Sequence, residues 1–229
     1  MNLRQDGFTK GIMNSGNFYS RVTYFLLGLR DKLGIPFNPR EELNKLDIRE
    51  GQIILDYGCG IGSYTFLIAK LVGNSGRVYA LDKEPVAVTR IEEEAKKQGL
   101  RNIITILSDR ETGLRDDSVD VVLFYGVLPQ IKDKESVLRE LHRVLKPDGY
   151  LSTRFCFRIK KDRILEIMES AGFSLTEQKG HILNFRNCNN SGCYPPCRSS
   201  LQDCLFPEYR QSQNCKVDLY GRDGDTGSW

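Results

Sequence analysis

Three features of the sequence predict an α/β fold with a doubly wound, Rossmann-like parallel sheet. Strand-like and helix-like stretches alternate from residue 52 to residue 157, an order that gives right-handed crossovers with helices on both faces. The first strand, Gln52 to Tyr57, carries a continuous Ile53-Ile54-Leu55 run, as suits a strand covered on both sides. It then passes into Gly58-Cys59-Gly60-Ile61-Gly62, a strand-to-helix turn whose glycines let the backbone approach a ligand.

Taken in order, residues 1–16 are polar and spaced with Gly7, Gly11 and Gly16, so they read as an arm. From Asn17 to Leu33, the residues Phe18, Val22, Phe25, Leu29 and Leu33 recur at helical intervals, which predicts an amphipathic N-terminal cap helix. Residues 1–37 form this arm and cap. Asn38, Pro39 and Glu41 supply an N-cap, a first-turn proline and a capping-box acid for a short helix running to about Leu46. After the glycine turn a helix is expected over Ser63 to Val72, a second strand over Arg77 to Asp82, and a helix from Pro85 towards Gly99. Asn102 to Ser108 and Val119 to Tyr125 are the third and fourth strands, the latter introduced by Asp116-Asp117-Ser118.

Glu135 to Leu145 has Val137, Leu138, Leu141 and Val144 on one side, with Asp133 as its cap. Pro147-Asp148-Gly149 reads as a turn before a fifth strand, Tyr150 to Phe157. A helix over Ile159 to Ala171 precedes a hairpin, Phe173 to Gln178 and His181 to Phe185, around Lys179-Gly180. Residues 38–186 thus form one domain. From residue 187 onward Asn, Ser, Gly, Cys and Pro dominate without a period, and residues 187–229 read as a tail of low order.

The 229 residues, 40% hydrophobic and 28% charged, describe an ordinary globular composition, and a formal charge of +3 argues for no nucleic-acid partner. No secretory leader is evident at the N-terminus, and Val22 to Leu29 is far too short to cross a bilayer. A cytoplasmic enzyme with no integral membrane segment is expected. Oligomeric state is not legible. Of seven cysteines, Cys188, Cys193, Cys197, Cys204 and Cys215 lie in or beside the tail without C-x-x-C spacing, so a thiolate metal site is the lesser reading and no metal is assigned.

The glycine turn reads G-x-G-x-G, whereas the dinucleotide-binding pattern would need its third glycine at Ser63. A nicotinamide or flavin enzyme is thereby disfavoured. Asp82, ending the second strand, stands where a ribose-binding carboxylate belongs. Asp109 follows the third strand and suits an adenine amino group. With Asp56, these place carboxylates at the ends of three consecutive parallel strands, where such sheets bind ligands.

The segments Leu55-Asp56-Tyr57-Gly58-Cys59-Gly60-Ile61-Gly62, Val78-Tyr79-Ala80-Leu81-Asp82, Ser108-Asp109, Ser118-Val119-Asp120-Val121-Val122 and Leu141-His142-Arg143-Val144-Leu145-Lys146-Pro147-Asp148-Gly149 occur together. In that combination the chain resembles class I S-adenosylmethionine-dependent methyltransferases, particularly the small-molecule type of the ubiquinone/menaquinone-biosynthesis group. The resemblance implies a seven-stranded sheet with the last strand antiparallel, S-adenosylmethionine as cofactor and a small-molecule acceptor. It also implies that Asp56 and the glycine loop hold the methionine part, Asp82 the ribose, and Asp109 with the Arg110 backbone the adenine. Tyr125 would lie near the methyl group. The cofactor-binding residues expected are Asp56, Gly58, Cys59, Gly60, Gly62, Asp82, Lys83, Asp109, Arg110 and Tyr125.

One departure bears on turnover. Where many relatives carry an acidic or polar residue and then a histidine after the fourth strand, this chain has Gly126-Val127-Leu128-Pro129. No catalytic residue is assigned. Methyl transfer by positioning alone remains open, and so does a non-catalytic S-adenosylmethionine-binding regulatory module. A nucleic-acid methyltransferase is the weakest reading, because no Asn/Asp-Pro-Pro-aromatic segment ends the fourth strand. His142 and His181 are read as structural.

Overall fold

The computed structural model describes residues 38–155 and 158–188. Its elements are α1 (Pro39–Leu43), β1 (Ile53–Tyr57), α2 (Thr65–Val72), β2 (Arg77–Asp82), α3 (Pro85–Lys97), β3 (Ile103–Leu107), β4 (Val119–Phe124), α4 (Lys134–Val144), β5 (Leu145–Arg154), α5 (Lys161–Ser170), β6 (Phe173–Lys179) and β7 (Ile182–Asn187). The expected arm, the Asn17 to Leu33 helix and the cysteines from Cys193 onward lie outside the described residues. Among the described residues, no helix is long and apolar enough to cross a membrane.

The strands form one seven-stranded sheet in the order β3-β2-β1-β4-β5-β7-β6. Strands β1 to β5 pair in parallel, while β7 is antiparallel to both β5 and β6. This is the doubly wound sheet with an antiparallel last strand that the sequence predicts. Alternation within the strands separates two cores. Leu55, Tyr57, Val122, Phe124 and Leu151 face α4 and α5, packing on Leu138, Leu141, Ile164 and Met168. Ile54, Val78, Val121, Leu123 and Ile182 face the other side, against Leu43 of α1, Leu46 beyond it, and Ile68, Ala69 and Val72 of α2. Covering both faces explains why β1 and β4 are almost continuously apolar.

Local signals account for most element ends. The Asn38 side chain accepts from the Glu41 amide at 3.3 Å, and Asp133 accepts from the Ser136 amide at 3.1 Å, so both expected N-caps form. Two elements differ from expectation. Helix α1 stops at Leu43 instead of continuing to Leu46. Strand β5 begins at Leu145 instead of Tyr150, with Leu145 paired to Val119 and Tyr150 to Val121. Residues 146–149 are therefore an irregularity within the strand, four residues opposite Asp120, and not a turn before it. A Cβ on Gly149 would stand 2.8 Å from the Asp120 carbonyl oxygen, which only glycine avoids. Asp120 anchors this end of the sheet, accepting from the Ile53 amide and from Lys146 Nζ, each at 2.7 Å.

Candidate active site

Strand order runs outward in opposite directions from β1 and β4, and the crevice beyond their C-terminal ends is where a doubly wound sheet takes a ligand. The glycine loop leaves β1 and the Tyr125-Gly126 segment leaves β4 on its two sides.

The loop is tied to β2. Gly58 N–H and Cys59 N–H both donate to the Leu81 carbonyl, at 2.7 and 3.0 Å. Gly58 and Gly62 have φ of +78° and +82°, and each is hemmed in: an added Cβ would meet Val127 Cγ1 at 2.2 Å or the Phe66 ring at 2.4 Å. Both conformation and space thus demand glycine. At Gly60 the same atom would find only the Gly58 carbonyl, at 4.0 Å, and at Gly126 nothing, so the backbone is open towards the crevice. Cys59 turns away into a small apolar cluster with Ala80 and Ile91, and burial pushes its thiol well above the usual range.

Asp82 bridges loop and strand. One carboxylate oxygen accepts from Gly60 N–H at 2.9 Å and the other from Glu84 N–H at 3.0 Å, leaving each oxygen a second lone pair. Lys83, beside it, is exposed. Asp56 is 4% exposed and accepts from Thr65 Oγ1 at 2.6 Å. Burial raises its pKa to about 6; the Thr65 hydroxyl pulls it down and the Asp82 charge pushes it up. Asp109 and Arg110 are exposed beyond β3. Tyr57 Oη donates to the Asp109 carbonyl at 2.9 Å and Ser108 Oγ accepts from the Arg110 amide at 3.2 Å, which fixes the backbone of this corner.

Tyr125 follows β4. Its hydroxyl lies 2.9 Å from Ser152 Oγ, its ring meets Tyr64 edge-on at 5.2 Å, and the Arg154 guanidinium sits 5.7 Å from its centroid. Arg154 leads to a group the sequence reading did not assemble. Glu42 of α1, only 8% exposed, accepts from Tyr64 Oη on one oxygen. Its other oxygen accepts from Arg154 at 2.8 Å and lies 3.1 Å from His181 Nε2. Four elements thereby converge beside the crevice. The available signals were an acid next to a core leucine in an amphipathic helix and an arginine ending an apolar strand.

A cavity of about 480 Å³ lies elsewhere, over the β5–β7–β6 side, lined by residues including Asp47, Tyr150, Asn184 and Arg186. It contains no residue of the glycine loop and neither Asp82 nor Asp109.

The chemistry of the crevice suits an adenosyl amino acid. The loop is open at Gly60, carboxylate lone pairs wait at Asp82, and a buried acid at Asp56 gains from a nearby cation. Comparison with known proteins points the same way. A family profile described as a methyltransferase domain matches residues 48–189. The chain is 30% identical over 162 residues to a protein named probable cobalt-precorrin-6B C(15)-methyltransferase (decarboxylating) from Saccharolobus solfataricus, covering 66% of this chain and 80% of the relative. It is 36% identical over 107 residues to the demethylmenaquinone methyltransferase of Lactobacillus johnsonii, and there spans only 44% of the relative's length. The crystal structure of a SAM-dependent methyltransferase from Aquifex aeolicus superposes with a TM-score of 0.59 at 26% identity, covering 70% of this chain and 96% of that one. The chain belongs to the methyltransferase-domain family, and within it to the enzymes that depend on S-adenosylmethionine.

Proposed function

We propose that this protein transfers the methyl group of S-adenosylmethionine to a small-molecule acceptor by in-line displacement. The observation that carries this reading is the Asp82 carboxylate, already fixed by the Gly60 and Glu84 amides with lone pairs to spare for two ribose hydroxyls. When bound, S-adenosylmethionine supplies an electrophilic methyl on a sulfonium. The chain's own residues then bind and orient: Asp56 with Gly58, Cys59, Gly60 and Gly62 at the methionine part, Asp82 flanked by Lys83 at the ribose, Asp109 with the Arg110 amide at the adenine, and Tyr125 on the methyl side. Residues 38–186 carry this site, with 1–37 as a cap and 187–229 as a tail. A small acceptor is supported by relatives named for a precorrin and for demethylmenaquinone.

Isothermal calorimetry with S-adenosylhomocysteine tests the binding half. Asp82→Ala removes charge-assisted hydrogen bonds of roughly 1.5–3 kcal/mol, so affinity should fall roughly 10- to 100-fold. Absence of binding to folded wild-type protein overturns the reading. The Gly126-to-Pro129 segment, which brings no acid or histidine to the crevice, favours a second reading, a regulatory module that binds without turnover. Methyl transfer from labelled S-adenosylmethionine to any member of a panel of phenols, amines and thiols rejects that module.

A further inference from the structure

We infer that His181 and Glu42 form the proton-accepting pair of the acceptor site, serving an acceptor whose attacking atom is a weakly acidic hydroxyl oxygen. The pair has this role if methyl transfer is the reaction, as proposed above. A carboxylate only accepts hydrogen bonds, so the 3.1 Å contact to Glu42 requires the proton on His181 Nε2. Neutral His181 therefore keeps its lone pair on Nδ1, which engages no hydrogen bond among the described residues. Holding one ring nitrogen with a carboxylate fixes the tautomer and leaves the lone pair of the other free to take a proton.

The placement favours a chemical role over a purely structural one. Phe155, just past the C-terminal end of β5, donates its amide to the His181 carbonyl at 3.2 Å, which puts residue 181 at the end of the sheet where the crevice lies. Exposure grades outward, with side chains 10% exposed at Glu42, 25% at Arg154 and 41% at His181. Arg154 joins the pair to Tyr125, the residue leaving β4. The side chain that contacts His181 is Glu42 of α1, which Tyr64 before α2 and Arg154 of β5 also engage; Lys179 of β6, two residues before His181, is paired to Glu177 at 2.9 Å.

In the step this allows, the acceptor hydroxyl proton passes to Nδ1 while an oxygen lone pair forms the O–C bond. The C–S pair returns to sulfur, the sulfonium becomes the neutral thioether of S-adenosylhomocysteine, and the imidazolium later releases its proton to water.

The test uses the full chain, wild type, His181→Gln and Glu42→Gln, with 4-methoxyphenol and 4-nitrophenol as acceptors. The first phenol stays protonated near neutral pH and the second ionises largely unaided. His181→Gln should slow 4-methoxyphenol turnover by about 100-fold or more, leave 4-nitrophenol within a few fold, and leave S-adenosylhomocysteine affinity unchanged. Equal effects on both phenols, or none, overturn the inference. A second readout needs no turnover: nitrogen NMR of histidine-labelled protein should show the Nε2–H tautomer at His181, and Glu42→Gln should shift that Nε2–H proton resonance upfield as the charge-assisted bond is lost. An Nδ1–H tautomer or an unmoved Nε2–H resonance overturns the pair, and His181→Gln keeps the kinetic test intact should Glu42→Gln not fold. Failure of wild type to methylate either phenol while binding S-adenosylhomocysteine counts against phenol methylation itself. The NMR result then decides the pair separately.

Discussion

Gly58 shows how narrowly the ligand loop is specified. A methyl group there meets Val127 Cγ1 at 2.2 Å and must also adopt a φ of +78°. Gly58→Ala should therefore lose roughly 2 kcal/mol or more of stability in urea unfolding. Adding Val127→Ala should return only part of that loss, because it makes space without relieving the backbone. Full recovery in the double variant would mean that the contact alone matters.

Asp56 couples the same loop to pH. With its pKa raised to about 6 by burial, against roughly 3.9 in an unfolded chain, the folded protein binds this proton more tightly than the unfolded one. Its ionisation thus costs stability above about pH 6, and the cost is relieved as pH falls from about 6 towards 4. Asp56→Asn should be more stable than wild type at pH 8, with the difference shrinking by pH 5. In the proposed reading the amino acid part of the ligand brings a cation near this acid, so binding at pH 6 should release protons. Calorimetry in buffers of different ionisation enthalpy measures them.

Helix α4 is the element whose inward and outward faces both have identifiable work. Its apolar side, Val137, Leu138, Leu141 and Val144, packs on the sheet. Glu140, on its flank, accepts from the Thr112 amide at 2.9 Å and from Arg143 at 2.7 Å, while Arg143 also pairs with Asp116. Burial alone would raise the Glu140 pKa, but Arg143 and Thr112 outweigh it and hold it down to about 2. The stabilisation is complete above the unfolded value of roughly 4.3 and is lost as pH falls through about 2. Acid unfolding of Glu140→Gln should lack this component, roughly 1–2 kcal/mol after solvent screening. At the other end, Asp133→Ala should cost about 1 kcal/mol by removing the cap, read as a lower thermal midpoint.

These elements also mark what the sequence could convey. The caps at Asn38 and Asp133, and Asp82 beside the glycine loop, follow from short-range chemistry and from parallel pairing that sets Tyr57 opposite Leu81. The β5 irregularity was hidden because Pro147-Asp148-Gly149 is turn chemistry in either setting, and only the register against β4 shows that the strand resumes.

At the scale of the whole molecule, the proposed cofactor half and acceptor half of the crevice differ in how they are encoded. The cofactor half is made within a few residues of each strand end. The acceptor half joins Glu42 to partners 112 and 139 residues away in the chain, at Arg154 and His181. Such contacts have no local period or motif. His181 therefore reads as an ordinary hairpin residue until the fold closes.

Strand β7, inserted between β5 and β6, has a further consequence for how the protein is made. During synthesis β1 to β5 leave the ribosome with the β5 edge unpaired, and a bare apolar edge invites association with other chains. The edge closes only when residues up to Phe185 have emerged, and that event also brings His181 to Glu42. A nascent chain halted before Ile182 would hold a finished glycine loop and Asp82 beside an open sheet. In the proposed reading the ligand pocket is thus drafted early, and the proton acceptor arrives with the strand that seals the sheet.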